Sequence, residues 1–138
     1  MTCPFLAIHF NWISILVSAL AAFALGGLWY SPLLFAKAWM KVLGITPDKT
    51  KAANMKLIFG TTFLLNIFGA FILSAFIGAQ PTAIKGLMYG LTISIAFIAT
   101  SFGISYLYTQ KSLKLFLIDA GYYITFYALM GLIIGAIG

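Results

Sequence analysis

The chain contains no glutamate and no arginine, and only one histidine, one cysteine and two aspartates in 138 residues. Without glutamate or arginine, and with one peripheral histidine and cysteine, little is left for acid–base chemistry. His9 has no second ligand near it in the sequence, so no metal site is expected. Cys3 stands alone and cannot close an internal disulfide. No nucleophile–base pair is visible either, and the expectation is a protein that is not an enzyme and needs no cofactor. Charged residues are 7% of the chain against 63% hydrophobic, with a mean hydropathy of +1.09. So few charges cannot cover the surface of a soluble domain of this size.

What the sequence has instead is long apolar runs. Residues 1–36, 57–84 and 86–110 carry no charge, and 115–138 carries only Asp119. Each run is long enough to cross a hydrocarbon core of about 30 Å at about 1.5 Å per residue. The fold class expected is therefore an all-α membrane protein: one four-helix transmembrane domain over 1–138, with helices at about 11–31, 47–78, 83–108 and 113–137. The first run is expected to be retained as an anchor and not cleaved as a leader. No Lys or Arg precedes it, it is too long, and the small-residue stretch "SALAAFA" lies inside it. No internal repeat is visible, so an inverted-repeat transporter has no support.

Local signals set the boundaries. Asn11 and Trp12 open the first helix at the outer interface as cap and anchor. "WYSP" ends it, because Pro32 lacks an N–H and pushes Ser31 away from α geometry. Residues 33–43 then form a short amphipathic helix, with Lys37 and Lys41 on one narrow face and Leu34, Phe35, Ala38, Trp39, Val42 and Leu43 around the rest. That pattern suits a helix lying in the membrane interface, with Trp39 at headgroup level. Gly44 is its C-terminal stop. In "TPDK", Thr46 is the N-cap and Pro47 the first helical residue, with Asp48 favoured by the dipole, so the second helix begins well before the membrane. Thr82 caps the third helix and Ser112 the fourth.

Lys37, Lys41, Lys49, Lys51, Lys56, Lys111 and Lys114 fall on one side of this layout and only Lys85 on the other. The positive-inside rule then predicts the basic loops in the cytoplasm and both termini outside. The net charge of +6 is read as topology signal and contact with anionic headgroups, above all at Lys37, Lys41, Lys49 and Lys51, with no nucleic-acid partner.

Asp119 is the one acidic residue within a span, about 10 Å along the fourth helix from Ser112. It suits a proton or cation site or a ligand contact. It equally suits a structural carboxylate paired to Lys56 or to a tyrosine. Trp29, Tyr30, Ser31, Lys56, Tyr106, Tyr108 and Tyr122 lie at a similar depth, and with Asp119 they define a candidate aromatic-walled pocket facing the cytoplasm. Gly121, Thr125, Ala128, Gly131 and Gly135 form a small-residue stripe on the opposite face. If Asp119 points inward, this stripe points outward and predicts a homo-oligomer. Asn66, mid-membrane, is expected to cross-link helices by hydrogen bonds. Gly86, Gly90, Ser94, Ser101 and Ser105 make a stripe on the third helix, broken by Phe97, that reads as close packing.

Two segments, "NWISILVSALAAFALGGLWYSPLLFAKAWMK" and "SLKLFLIDAGYYITFYALMGLIIG", resemble the DUF1761 family of small bacterial membrane proteins. The resemblance implies a bacterial inner-membrane protein of about four helices and gives no reaction or cofactor. Its signature positions here are Asn11, Trp12, Gly26, Trp29, Tyr30, Pro32, Lys37, Trp39, Asp119, Ala120, Gly121 and Tyr122. The function expected is a self-associating structural or accessory membrane subunit. The alternative is a small-solute or proton transporter or channel using Asp119.

Overall fold

The computed structural model describes residues 10–44 and 54–138. Its elements are helical throughout: α1 (Trp12–Trp29), α2 (Ala36–Leu43), α3 (Met55–Ile77), α4 (Ala83–Tyr108) and α5 (Leu113–Ile137). α1, α3, α4 and α5 are each long and apolar enough to cross a membrane. The short α2 lies between the first two spans, as its amphipathic pattern requires.

Most ends are set by single residues. The Asn11 carboxamide oxygen accepts from the Ile13 and Ser14 N–H groups at 3.1 and 3.3 Å. Thr82 and Ser112 cap α4 and α5 in the same way, accepting from Lys85 and Leu115 at 3.1 and 3.2 Å. Gly44 closes α2 in the left-handed region at φ 69°. Each cap satisfies an N–H or C=O that the helix leaves unpaired. The expected continuous helix from Pro47 is not found. Asn54 is extended, at φ −75° and ψ 90°, and its side chain caps α3 by accepting from the Leu57 N–H at 3.2 Å. A capping asparagine offers the backbone a better partner there than the next helical turn does. Thr46, Pro47 and Asp48 lie outside the described residues.

α5 is the central helix. It packs most extensively on α4 and then on α1, while α1 also packs on α3. The core is Ile15, Ala22, Ala70, Leu73, Ile77, Tyr122, Phe126, Met130 and Ile134. Outward-facing Leu64, Leu65, Phe68, Phe97 and Leu107 are between 63% and 80% exposed. That surface suits hydrocarbon and would be costly in water.

The small-residue stripe of α5 does not point outward at its C-terminal half. A Cβ on Gly86 would run into the Gly131 carbonyl, and one on Gly131 into the Gly86 carbonyl; Gly90 meets the Tyr127 carbonyl and Gly135 that of Thr82 in the same way. Gly131 and Gly135 are buried against Gly86 and Gly90 of α4 in the same chain, while Gly121 faces Trp29, and of the five stripe residues Thr125 alone is exposed. Two small-xxx-small patterns mesh within one molecule, and the oligomer stripe is corrected to an α4–α5 seam. The expected close-packing stripe of α4 is also divided. Six residues, Ser94–Ala99, form a π-helical turn. A wide turn adds residues to the winding and rotates the remainder of the helix by about 100° for each. Gly86, Gly90 and Ser94 are therefore buried, whereas Ser101 and Ser105 are exposed.

Candidate functional site

Asp119 is the centre of the site. It is 8% exposed, two turns inside α5. The Tyr30 hydroxyl donates to one carboxylate oxygen at 2.7 Å, and the Tyr106 hydroxyl donates to the other at 2.5 Å. Tyr30 comes from the end of α1 and Tyr106 from the last turns of α4, so one carboxylate ties together three spans. The tyrosine reading of its partner holds. Lys56 is exposed at the start of α3 and takes no part.

α1 ends at the right place for this contact. Tyr30 closes α1, its own N–H donating to the Gly26 carbonyl at 3.1 Å. Beside it, the Trp29 indole N–H donates to the Ile118 carbonyl at 3.1 Å, which fixes α1 to α5 one residue before the carboxylate. Pro32 then lets the chain turn. The Phe35 and Ala36 N–H groups donate back to the Trp29 and Ser31 carbonyls at 3.0 and 3.1 Å. Ser31 belongs to this bend and not to the site: its hydroxyl donates to the Leu28 carbonyl at 2.6 Å.

Aromatic rings wall the carboxylate. Tyr122 stands edge-on to Trp29 at 6.2 Å, tilted on Tyr30 at 5.1 Å and edge-on to Tyr123 at 4.9 Å. Its hydroxyl would sit 2.7 Å from a Cβ on Gly26, so that glycine leaves the space the phenol occupies. Trp39 of α2 lies edge-on to Tyr30 at 5.4 Å, and Phe35 packs on Trp29 at 4.9 Å. α2 therefore roofs the site, its exposed Lys37 and Lys41 turned away.

The structure thus brings together Asp119, Tyr30, Tyr106, Trp29 and Tyr122, and leaves out Ser31, Lys56 and the exposed Tyr108. Tyr123, four residues after Asp119 on α5, joins the site through the helical period that puts both on one face. Phe35 and the Ile118 carbonyl join it without having been expected, because no charge or motif marks them and only the α1–α2 bend and the α1–α5 crossing bring them in. Lys49 and Lys51 lie outside the described residues.

Residues 13–135 match the family described as "Protein of unknown function (DUF1761)". The chain belongs to the DUF1761 family. No curated protein and no solved structure gives a match. The family's description carries no activity, so the chemistry of this DUF1761 member rests on its own geometry. A carboxylate receiving two phenol hydrogen bonds can hold three helices in register, or bind and release a proton. Among the described residues no group of three His, Cys, Asp or Glu side chains forms.

The two asparagines expected to pack helices behave differently. The Asn11 amide group reaches the Ile137 carbonyl at 3.5 Å, joining the start of α1 to the end of α5. Asn66 is 6% exposed and its amide nitrogen has no hydrogen-bond partner, so the expected cross-link through that group is not made. A sequence pattern fixes the depth of Asn66 and cannot say whether a partner stands opposite.

Proposed function

We propose that this DUF1761 protein is a structural or accessory subunit of a bacterial inner membrane, with its catalytic repertoire empty and its basic loops on the cytoplasmic side. The observation that carries this reading is the occupation of both Asp119 oxygens by phenols from two other helices. A carboxylate so engaged is spent on joining α1, α4 and α5. In this reading the chain associates with a further copy or a larger membrane complex through the outward faces of α3 and α4, since Gly131 and Gly135 are used internally. The exposed lysines of α2 rest against anionic headgroups.

The second reading is proton transfer through Asp119, and one observation favours it: the carboxylate is buried yet linked by hydroxyls to Tyr106 at the edge of the bundle. Asp119→Asn separates the two. Under the structural reading, proteoliposomes show the same proton leak with and without the substitution, while thermal stability falls and assembly is lost. A proton flux present in the wild type and abolished in a folded Asp119→Asn protein would establish transport instead.

A further inference from the structure

Beyond the cytoplasmic side of the π-helical turn, α4 leaves the α5 seam and opens a groove of about 490 Å³ lined by Phe97, Ile98, Ser101, Phe102, Ser105 and Tyr106. Two of its three hydroxyls are hydrogen-bonded within the bundle. The Ser101 hydroxyl donates back to the Phe97 carbonyl at 2.5 Å, and the Tyr106 hydroxyl is held by Asp119. The groove therefore presents an apolar, aromatic trough to the bilayer. From Phe97 to Tyr106 it runs about 14 Å along the helix axis. One leaflet of a hydrocarbon core of about 30 Å is about 15 Å deep. The trough matches one acyl chain lying in one leaflet.

Its interfacial end carries a cation. The turn between α4 and α5 folds back so that the Lys111 N–H donates to the Tyr106 carbonyl at 2.9 Å, with Gln110 in the left-handed region at φ 55°. That turn places the Lys111 ammonium 5.5 Å from the centre of the Tyr106 ring, at the groove's mouth. Lys111 is exposed, and Lys114, also exposed, is the second residue of α5. An apolar trough of one leaflet's depth, with the Lys111 ammonium at its headgroup end, complements a molecule with a long hydrocarbon tail and an anionic head.

We infer that this groove is a binding site for one anionic phospholipid, its acyl chain along Phe97–Tyr106 and its phosphate on Lys111. The inference goes beyond the structural reading of Asp119 and does not depend on it. The lipid would pack against Tyr106 from the side opposite its polar anchor and shield that phenol from the bilayer.

The test is native mass spectrometry of the full chain released from nanodiscs holding equal amounts of phosphatidylglycerol and phosphatidylcholine with identical tails. The wild type should retain one phosphatidylglycerol over phosphatidylcholine by about fivefold, the ratio equivalent to about 1 kcal/mol for one basic residue at the surface. Lys111→Ala should erase the preference, and Ser101→Trp, which fills the trough, should abolish retention of either lipid. Lys85→Ala, at the other end of α4, should change nothing. Ser105→Leu fills the same trough with a smaller group and serves if the tryptophan variant does not fold. Equal retention of the two lipids by the wild type overturns the site, as does a preference that survives Lys111→Ala or both groove-filling variants.

Discussion

At the residue scale, the strength of the site lies in the pairing of one charge with two donors. A hydrogen bond to a charged group contributes about 1.5–3 kcal/mol, roughly twice a neutral one. Removing a phenol leaves an oxygen of Asp119 without its donor inside the membrane. Tyr30→Phe is thus expected to lower stability by about 1.5–3 kcal/mol, and Tyr106→Phe by less, since Tyr106 stands at the edge of the bundle where water and headgroups can replace its hydroxyl. In an Asp119→Asn background each loss should shrink. Thermal unfolding of the three single and two double variants in one detergent measures this coupling. Additive losses would mean that the phenols act through packing and not through the carboxylate. Asp119 itself is legible from the sequence as the one acid within a span. Its partners are legible only in depth, because period and hydropathy place a side chain along the membrane normal and leave its lateral direction open.

At the element scale, the α4–α5 seam depends on backbone touching backbone. The atoms that a new Cβ would strike at Gly86, Gly90, Gly131 and Gly135 are main-chain carbonyls, which cannot rotate out of the way. Gly131→Ala must therefore push the helices apart, with a cost of about 1–3 kcal/mol from overpacking. Gly27→Ala, where nothing lies within 4 Å, should be neutral or stabilising, since alanine is favoured in a helix by about 1 kcal/mol. Differential scanning of the two variants beside the wild type checks the contrast. Size-exclusion with light scattering should find the same mass for Gly131→Ala as for wild type; a change of oligomeric state would restore the stripe as an intermolecular surface. The caps at Asn11, Gly44, Thr82 and Ser112 are legible because each acts within four residues of itself. The seam is not, because a stripe of small residues states that something approaches closely without stating what. The π-helical turn has no proline or glycine to announce it and arises where α4 leaves the seam.

At the scale of the whole molecule, the antiparallel alternation of the four spans gathers the described lysines Lys37, Lys41, Lys56, Lys111 and Lys114 at the end that holds Asp119, with Lys85 at the other. The end rich in lysine is also the end where α2 lies flat over Tyr30 and where the groove opens beneath Lys111. Charge asymmetry, amphipathic helix and buried carboxylate thus share one end of the bundle, and the orientation of that end decides which compartment Asp119 lies nearest and which leaflet the groove opens to. Retention of basic loops in the cytoplasm predicts the direction. With Cys3→Ser as background, Lys85→Cys should react with a membrane-impermeant maleimide on intact cells, and Lys111→Cys only after the membrane is opened. The reverse pattern would put Asp119 and the groove on the outer face, so that anionic lipid of the outer leaflet would have to fill it. Equal labelling of both positions on intact cells would mean that the chain inserts in two orientations, each with its own leaflet at the groove.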